Sequence, residues 1–276
     1  MAVGFSQNFN FERDLLASLL RAYAENERLS REAIRSLLGV GDNKAEAMVT
    51  WLGKLGLRDN GNRKITALGS IILTHDPYFE DITTLWLLHY QLASNKDAEV
   101  WYWLTNAFLP NQSSFSFSDA IDFLGSLGIG RNDEQHLKTD VSIFLRSFIL
   151  ESALGKTEFI KVQGKANRNV ARNRFYKNPP SNPSPYLVAY VIFDQRIKKF
   201  PSLITVTIQE LLTEDGNAGR VFSLSRGKLE EILRLVSSQQ FGHLIDLSTT
   251  AGLDQVGLRF RGQLIEILEM GYVSKF

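Results

Sequence analysis

Cysteine is absent from this 276-residue chain, which excludes disulfides, thiolate metal ligands and a cysteine nucleophile. No apolar run reaches the roughly 18 residues that a membrane-spanning helix needs, and the start lacks the basic-then-apolar order of a signal peptide. A cytoplasmic protein with no membrane partner is expected. An excess of one charge is also missing, since 31 Lys and Arg stand against 30 Asp and Glu, a net charge of +1. Any binding to a polyanion must therefore rest on local basic patches, because there is no global positive field. Residues 125–130 are glycine-rich but no Lys-Ser or Lys-Thr follows them, so a nucleotide-phosphate loop of that kind is lacking and ATP is not expected to bind. What remains is an ordinary composition, 44% apolar, in a chain long enough for two domains or one large one.

The opening 75 residues read as helix, helix, longer helix and basic hairpin. Residues 10–24 place Leu15, Leu16, Leu19, Leu20 and Tyr23 at the spacing of one buried stripe. Ser30 is a good N-cap for a second helix with Ile34, Leu37 and Leu38 inward. After the turn Gly39-Val40-Gly41, Asp42 or Asn43 caps a third helix to about Leu55, with Ala45, Met48, Val49, Leu52 and Leu55 inward and Asn43, Lys44, Glu46, Thr50 and Lys54 outward. Asn60-Gly61 is then the preferred two-residue hairpin turn, flanked by Arg58, Arg63 and Lys64. This is the order of a winged helix-turn-helix, a fold that serves either DNA contact or protein docking.

Residues 81–94 and 98–109 carry dense large apolar side chains, including Trp86, Trp101, Tyr102 and Trp103, and predict two mutually buried helices, the second ended by Pro110. Ser118 is expected to cap a further helix, and residues 134–154 to form a longer one. From Lys156 to Lys177 seven basic residues face one acid, Glu158, a local charge of about +6. Lys161, Lys165, Arg168, Arg172, Arg174 and Lys177 suit phosphate contact, and the interleaved Phe159, Phe175 and Tyr176 offer faces for unstacked bases. The plainer alternative is a solvated loop with two short strands at its edges. A run with prolines at 179, 180, 183 and 185 marks a linker. Beyond it, helices at 186–200, 207–213 and from Ser225, strands at 244–247 and 256–259 paired across Thr249-Thr250-Ala251-Gly252, and a closing helix at 262–270 repeat the opening pattern in weaker form.

The expected fold class is mainly α with a minor α+β part, with winged helix-turn-helix modules at both ends of a helical middle. Its divisions are a winged helix over 1–75, a helical domain over 76–155, the basic segment and linker over 156–185, and a second winged-helix-like domain over 186–276.

Ile65-Thr66-Ala67-Leu68-Gly69, Asp76-Pro77-Tyr78-Phe79-Glu80-Asp81, Thr84-Leu85-Trp86-Leu87-Leu88-His89 and Trp101-Tyr102-Trp103 resemble successive motifs of a bacterial domain-of-unknown-function family, number four thousand and seven. Gly39-Val40-Gly41-Asp42-Asn43 resembles its turn before the third helix, and Thr250-Ala251-Gly252-Leu253 a motif near its end. The resemblance implies membership of gene clusters for DNA phosphorothioation, in which sulfur replaces a non-bridging phosphate oxygen. It also implies likeness to the nicking component of the single-stranded version of that system. Where the family commonly has Gly-His-Glu-Thr-Phe, this chain has Gln7-Asn8-Phe9-Asn10-Phe11, so a His and a Glu suited to chemistry are missing. Asp42 stands where a Lys is usual, which weakens a phosphate contact at that helix start.

Catalytic groups are sparse. Nicking a phosphodiester calls for carboxylates or His around a divalent ion, or a Tyr or Ser nucleophile beside basic residues. Asp76, Glu80 and Asp81 cluster near His75 and His89, but Asp81 is also the natural cap of the next helix and His89 sits in a Trp-rich apolar face. The residues thus predict no cofactor and no assigned catalytic residue, with a divalent metal entering only for a nickase. The expected function is a DNA-binding component of a DNA phosphorothioate modification and phage-defence system. Its DNA-binding residues would be Asn43, Lys44, Lys54, Arg58, Arg63, Lys64, Lys161, Lys165, Arg168, Arg172, Arg174 and Lys177. Its partners would be DNA and other proteins of that system, with a homo-oligomer left open. The alternatives are a DNA nickase in the same system and a docking scaffold without DNA affinity.

Overall fold

The computed structural model describes residues 4–131, 133–199, 201–202, 204–248 and 254–274. The chain is mainly helical, with two small antiparallel sheets. It divides into two units, Met1–Asn178 and Pro179–Phe276, the division falling at the head of the proline run.

In the first unit, helix α1 (Arg13–Glu25) buries Leu16, Leu19, Leu20 and Tyr23. In α2 (Arg31–Leu38) the Ser30 hydroxyl accepts from the Ala33 N–H, and Gly39 closes the helix at φ +63°, a conformation that glycine adopts without steric cost. Gly41, and not Asp42 or Asn43, is the N-cap of α3 (Asp42–Lys54). Asp42 lies in its first turn and pairs with Arg35 at 3.2 Å. Trp51 anchors α3, edge-on to Phe5, Phe11 and Trp101 with ring centroids 4.8, 5.6 and 5.7 Å away. The following hairpin is held by the Arg58–Ile65 bridge and an Asp59 N–H to Lys64 C=O bond of 2.8 Å. Its turn spans residues 60–63, because the Asp59 carboxylate takes the Gly61 N–H at 2.7 Å and Arg63 assumes φ +64°. The expected two-residue Asn60-Gly61 turn is thereby displaced. Helix α4 (Ala67–His75) is capped by Thr66. There Gly69 lies under the Leu57 carbonyl, where a Cβ would come within 2.3 Å of the oxygen.

Asp81 caps α5 (Ile82–Ala93) as expected. Helix α6 (Glu99–Trp103) does not stop at Pro110 but runs on through a π turn at Leu104–Phe108 into a 3-10 turn at Leu109–Asn111. Pro110 fits there because the first turn needs no amide donor. Strand β1 (Ser114–Ser116), helices α7 (Phe117–Ser126) and α8 (Glu134–Ile149), and strands β2 (Ile160–Val162) and β3 (Arg174–Lys177) follow. The sheet order is β1-β3-β2, with Phe115 opposite Phe175 and Val162 opposite Phe175. Ser116, and not Ser118, caps α7, in a capping box with Asp119. Helix α8 ends five residues before the expected 154, where the chain turns at Leu150.

In the second unit, α9 (Pro185–Lys199) precedes β4 (Thr205–Thr207), α10 (Ile208–Thr213), α11 (Ala218–Val221), α12 (Arg226–Val236), β5 (Ile245–Ser248), β6 (Gln255–Leu258) and α13 (Leu264–Ser274). β5 and β6 pair as the sequence suggests, while the turn expected at residues 249–252 and the motif ending at Leu253 lie outside the described residues. The sheet order is β4-β6-β5. Residues 114–177 and 205–258 therefore share one plan of strand, helices and hairpin, with the first strand paired to the last. In both, the final strand residue opens a capping box on the next helix, Ser116 with Asp119 and Thr207 with Glu210.

Candidate nucleic-acid interface

The basic segment is the β2–β3 hairpin. Strand alternation sorts its side chains. Phe175 points inward and stacks on Phe115 at 5.6 Å, and Phe159 is fully buried against Trp86 and His89, both at 5.2 Å. These two rings are core and cannot receive bases, which corrects the sequence expectation. Arg174 and Tyr176 point outward, with Tyr176 37% exposed. In register with Tyr176 stand Lys161 on β2 and Ser114 on β1. The Arg174 guanidinium reaches toward the Ser114 hydroxyl at 3.4 Å. Asp119 sits nearby with its carboxyl held below the usual range, chiefly by hydrogen bonds from Ser116 and further by the Arg174 charge. Lys161 pairs with Glu158 at 2.9 Å.

Between the strands the chain is shaped by its own asparagines. The Asn167 N–H donates to Asn173 Oδ1 at 2.7 Å and Asn173 Nδ2 donates back to the Asn167 carbonyl at 3.0 Å, while Asn169 caps the turn at Val170–Arg172. Lys165, Arg168 and Arg172 are exposed on this loop, and none of the three enters an ion pair among the described residues. Lys177 is tied down instead, its Nζ donating to the Leu109 carbonyl at 2.8 Å.

The α1–α3 face is less open than its sequence suggests. Asn43 is exposed, but Lys44 pairs with Glu12 at 2.8 Å and Lys54 lies 3.7 Å from Asp97. Arg63 and Lys64 are exposed on the hairpin. Arg58 is only 6% exposed, its guanidinium lying 4.3 Å over the Tyr23 ring and bonded to Asn60 Oδ1 at 3.3 Å. It is no wing-tip cation, because the ring draws it beneath the hairpin. A cavity of about 370 Å³ opens there between α1, α2, α3 and the hairpin, with Arg28, Arg31, Arg58 and Arg63 on its polar side and Ile34 and Val49 on its apolar side. Arg28 and Arg31 carried no signal in the sequence, since their company with residues 58–63 is made only by the fold. β1 could have been found from the capping box Ser116-x-x-Asp119 that ends it.

The family described as protein of unknown function, DUF4007, matches residues 15–272. The chain belongs to that family. Two solved structures share the fold of this DUF4007 protein. Magnesium ion-bound SspB superposes with a TM-score of 0.78 at 19% identity, covering 98% of this chain and 86% of that one. A second SspB crystal structure gives 0.77 at 20% identity, with 98% and 86% covered. No curated protein matches the sequence.

The acid and histidine cluster of the DUF4007 chain is structural. The two Asp76 oxygens accept the N–H groups of Glu80 and Asp81, each at 2.9 Å, fixing the turn around Phe79. Asp81 in turn caps α5 through the Thr83 N–H at 2.7 Å. His89 is fully buried among aromatic rings. Among the described residues no three His, Asp or Glu side chains gather as a metal site. No described helix is long and apolar enough to cross a membrane.

Proposed function

We propose that this DUF4007 chain is the DNA-contacting component of a DNA phosphorothioation and phage-defence system, gripping the phosphate backbone through the β2–β3 hairpin. Membership of the family and the shared fold with SspB support a place in such a system. The plan of residues 114–177 is that of a winged helix, in which α8 would be the helix in the groove and β2–β3 the wing. Helix α8 buries Leu137, Val141, Phe144, Leu145 and Phe148 on one face, while on its exposed first turns Lys138 is paired with Glu134, so the wing offers cations that have no ion pair among the described residues. The observation that carries the reading is the exposed, unpaired trio Lys165, Arg168 and Arg172 beside Arg174 and the outward Tyr176. Cations there can displace phosphate counterions while the Tyr176 ring stacks on an unpaired base. Such contacts position a protein on DNA without reading its sequence.

The test is fluorescence anisotropy with duplex and single-stranded oligonucleotides at several salt concentrations. Replacing Lys165, Arg168 and Arg172 by alanine together should weaken binding and flatten the salt slope by about 0.9 per lost duplex contact. Absence of binding at low salt, or binding indifferent to the triple variant, overturns the proposal and favours a docking scaffold.

The likeness to a magnesium-bound SspB gives the nickase its standing as a second reading. Supercoiled plasmid incubated with the protein and magnesium separates the two, since relaxed circles form only if the chain cuts.

A further inference from the structure

The cavity beneath the 58–65 hairpin has the chemistry of a ligand site. Its lining holds four arginines against two glutamates, and one of those glutamates, Glu46, is already paired with Arg31 at 2.7 Å. Arg58 is more than nine-tenths buried, and its Nε has no hydrogen-bond partner. A buried guanidinium N–H left without an acceptor is costly, and an anion entering the cavity supplies one. The Tyr23 ring that Arg58 covers is itself buried, and burial pushes its hydroxyl above the ordinary tyrosine range against the pull of Arg58 and Arg63. The phenol therefore stays neutral and able to donate. Ile34 and Val49 add an apolar part to the lining, and a volume of about 370 Å³ lies in the usual range for small-molecule pockets.

We infer that this cavity binds a nucleotide-sized phosphate monoester or diester, with Arg58, Arg28 and Arg63 around the phosphate and Ile34 and Val49 against an apolar or planar group. The ligand could be a free mononucleotide or one nucleotide of a DNA strand, and the two share this chemistry. The site is separate from the β2–β3 hairpin and does not depend on the hairpin's role.

Isothermal titration of the full chain with deoxynucleoside 5′-monophosphates, with the matching nucleosides and with a short single-stranded oligonucleotide tests the inference. A monophosphate should bind at least about tenfold more tightly than its nucleoside, since a charge-assisted bond is lost with the phosphate. Arg58→Gln should weaken binding about tenfold or more. Because Arg58 also packs on Tyr23, exposed Arg28→Gln and Arg63→Gln serve as variants that keep the core, each expected to weaken binding several-fold. Mononucleotide binding identifies a soluble ligand. Oligonucleotide binding without mononucleotide binding, still weakened by these variants but not by the Lys165, Arg168, Arg172 triple change, identifies a strand-borne nucleotide. No binding of either, or binding untouched by all three arginine changes, overturns the site and leaves the hairpin proposal standing.

Discussion

Asp140 sits on α8 with 6% of its surface exposed, accepting the Gly4 N–H at 2.6 Å and the Ser6 hydroxyl at 3.3 Å. Burial raises its pKa, and these two donors together with the nearby His136 only partly oppose the rise. A raised folded-state value means that its stability contribution is full below the ordinary aspartate range and is lost as pH climbs through the folded value. Asp140→Asn should remove this dependence. Its Oδ1 can still accept from Gly4 and its amide can donate to the Ser6 oxygen, so the fold is kept. Urea midpoints measured between about pH 3 and pH 7 should show the wild type losing ground to the variant as pH rises. A constant gap between them contradicts the assignment. Residues of this kind are illegible in sequence, because Asp140 lies on the same stretch as seven apolar positions and its partners are more than 130 residues away. Arg58 misleads for a related reason. A basic residue beside a turn reads as solvated, and only the fold reveals Tyr23 beneath it.

At the scale of elements, pattern located the long helices and the strands of both hairpins but missed β1 and β4. Helices α1, α2, α3, α5, α8 and α12 carry apolar stripes over two or more turns, which a 3.6-residue pattern exposes. β1 and β4 have three residues each, too few for alternation to stand out, and each runs straight into a helix. The capping boxes mark those junctions and are the better signal, since Ser116-x-x-Asp119 and Thr207-x-x-Glu210 are written in the sequence. Ser116→Ala and Thr207→Ala should each cost about 1 kcal/mol, the typical loss of a side-chain cap. Equilibrium denaturation checks both. The Ser116 variant has a further signature, because Asp119 is held below the usual range first by the Ser116 backbone N–H, which alanine keeps, and next by the Ser116 hydroxyl, which it removes. The contribution of such a depressed acid is present above its unfolded pKa and is lost as pH falls through its folded value. The cost of Ser116→Ala should accordingly be greatest near neutrality and shrink in acid. A cost that is equal at both ends of the range breaks the link between the cap and the carboxylate.

At the scale of the whole molecule, near-neutral charge conceals a local asymmetry: residues 114–177 hold ten Lys and Arg against seven Asp and Glu, and residues 205–258 hold four against seven. The first unit holds all twelve of the basic and polar residues that the sequence nominates for DNA, along with the β2–β3 hairpin. In the second unit, the cations of α12 and Arg259 are engaged: Arg226 with Glu230 and Asp254, Lys228 with Glu231, Arg234 with Glu230, and Arg259 with Asp246, while Arg261 is exposed and enters no ion pair among the described residues. The sequence hints at a pattern returning after the prolines, but sets it against the opening 75 residues. The matching plan is instead that of residues 114–177, and the kinship lies in the order of elements, the strand order and the paired capping boxes. The two segments thus share a topology while differing in charge, which makes the first the expected place for phosphate contacts. A fragment ending at Asn178 keeps the aromatic core around Trp51, Trp101 and Phe148 and should bind DNA with the salt slope of the full chain. A fragment beginning at Pro179 should bind far more weakly, because the cations of α12 and Arg259 already have carboxylate partners and few others, such as Arg261, are left to neutralise phosphates. Anisotropy on the two fragments decides the matter. Affinity that resides in the second fragment moves the interface away from the β2–β3 hairpin altogether.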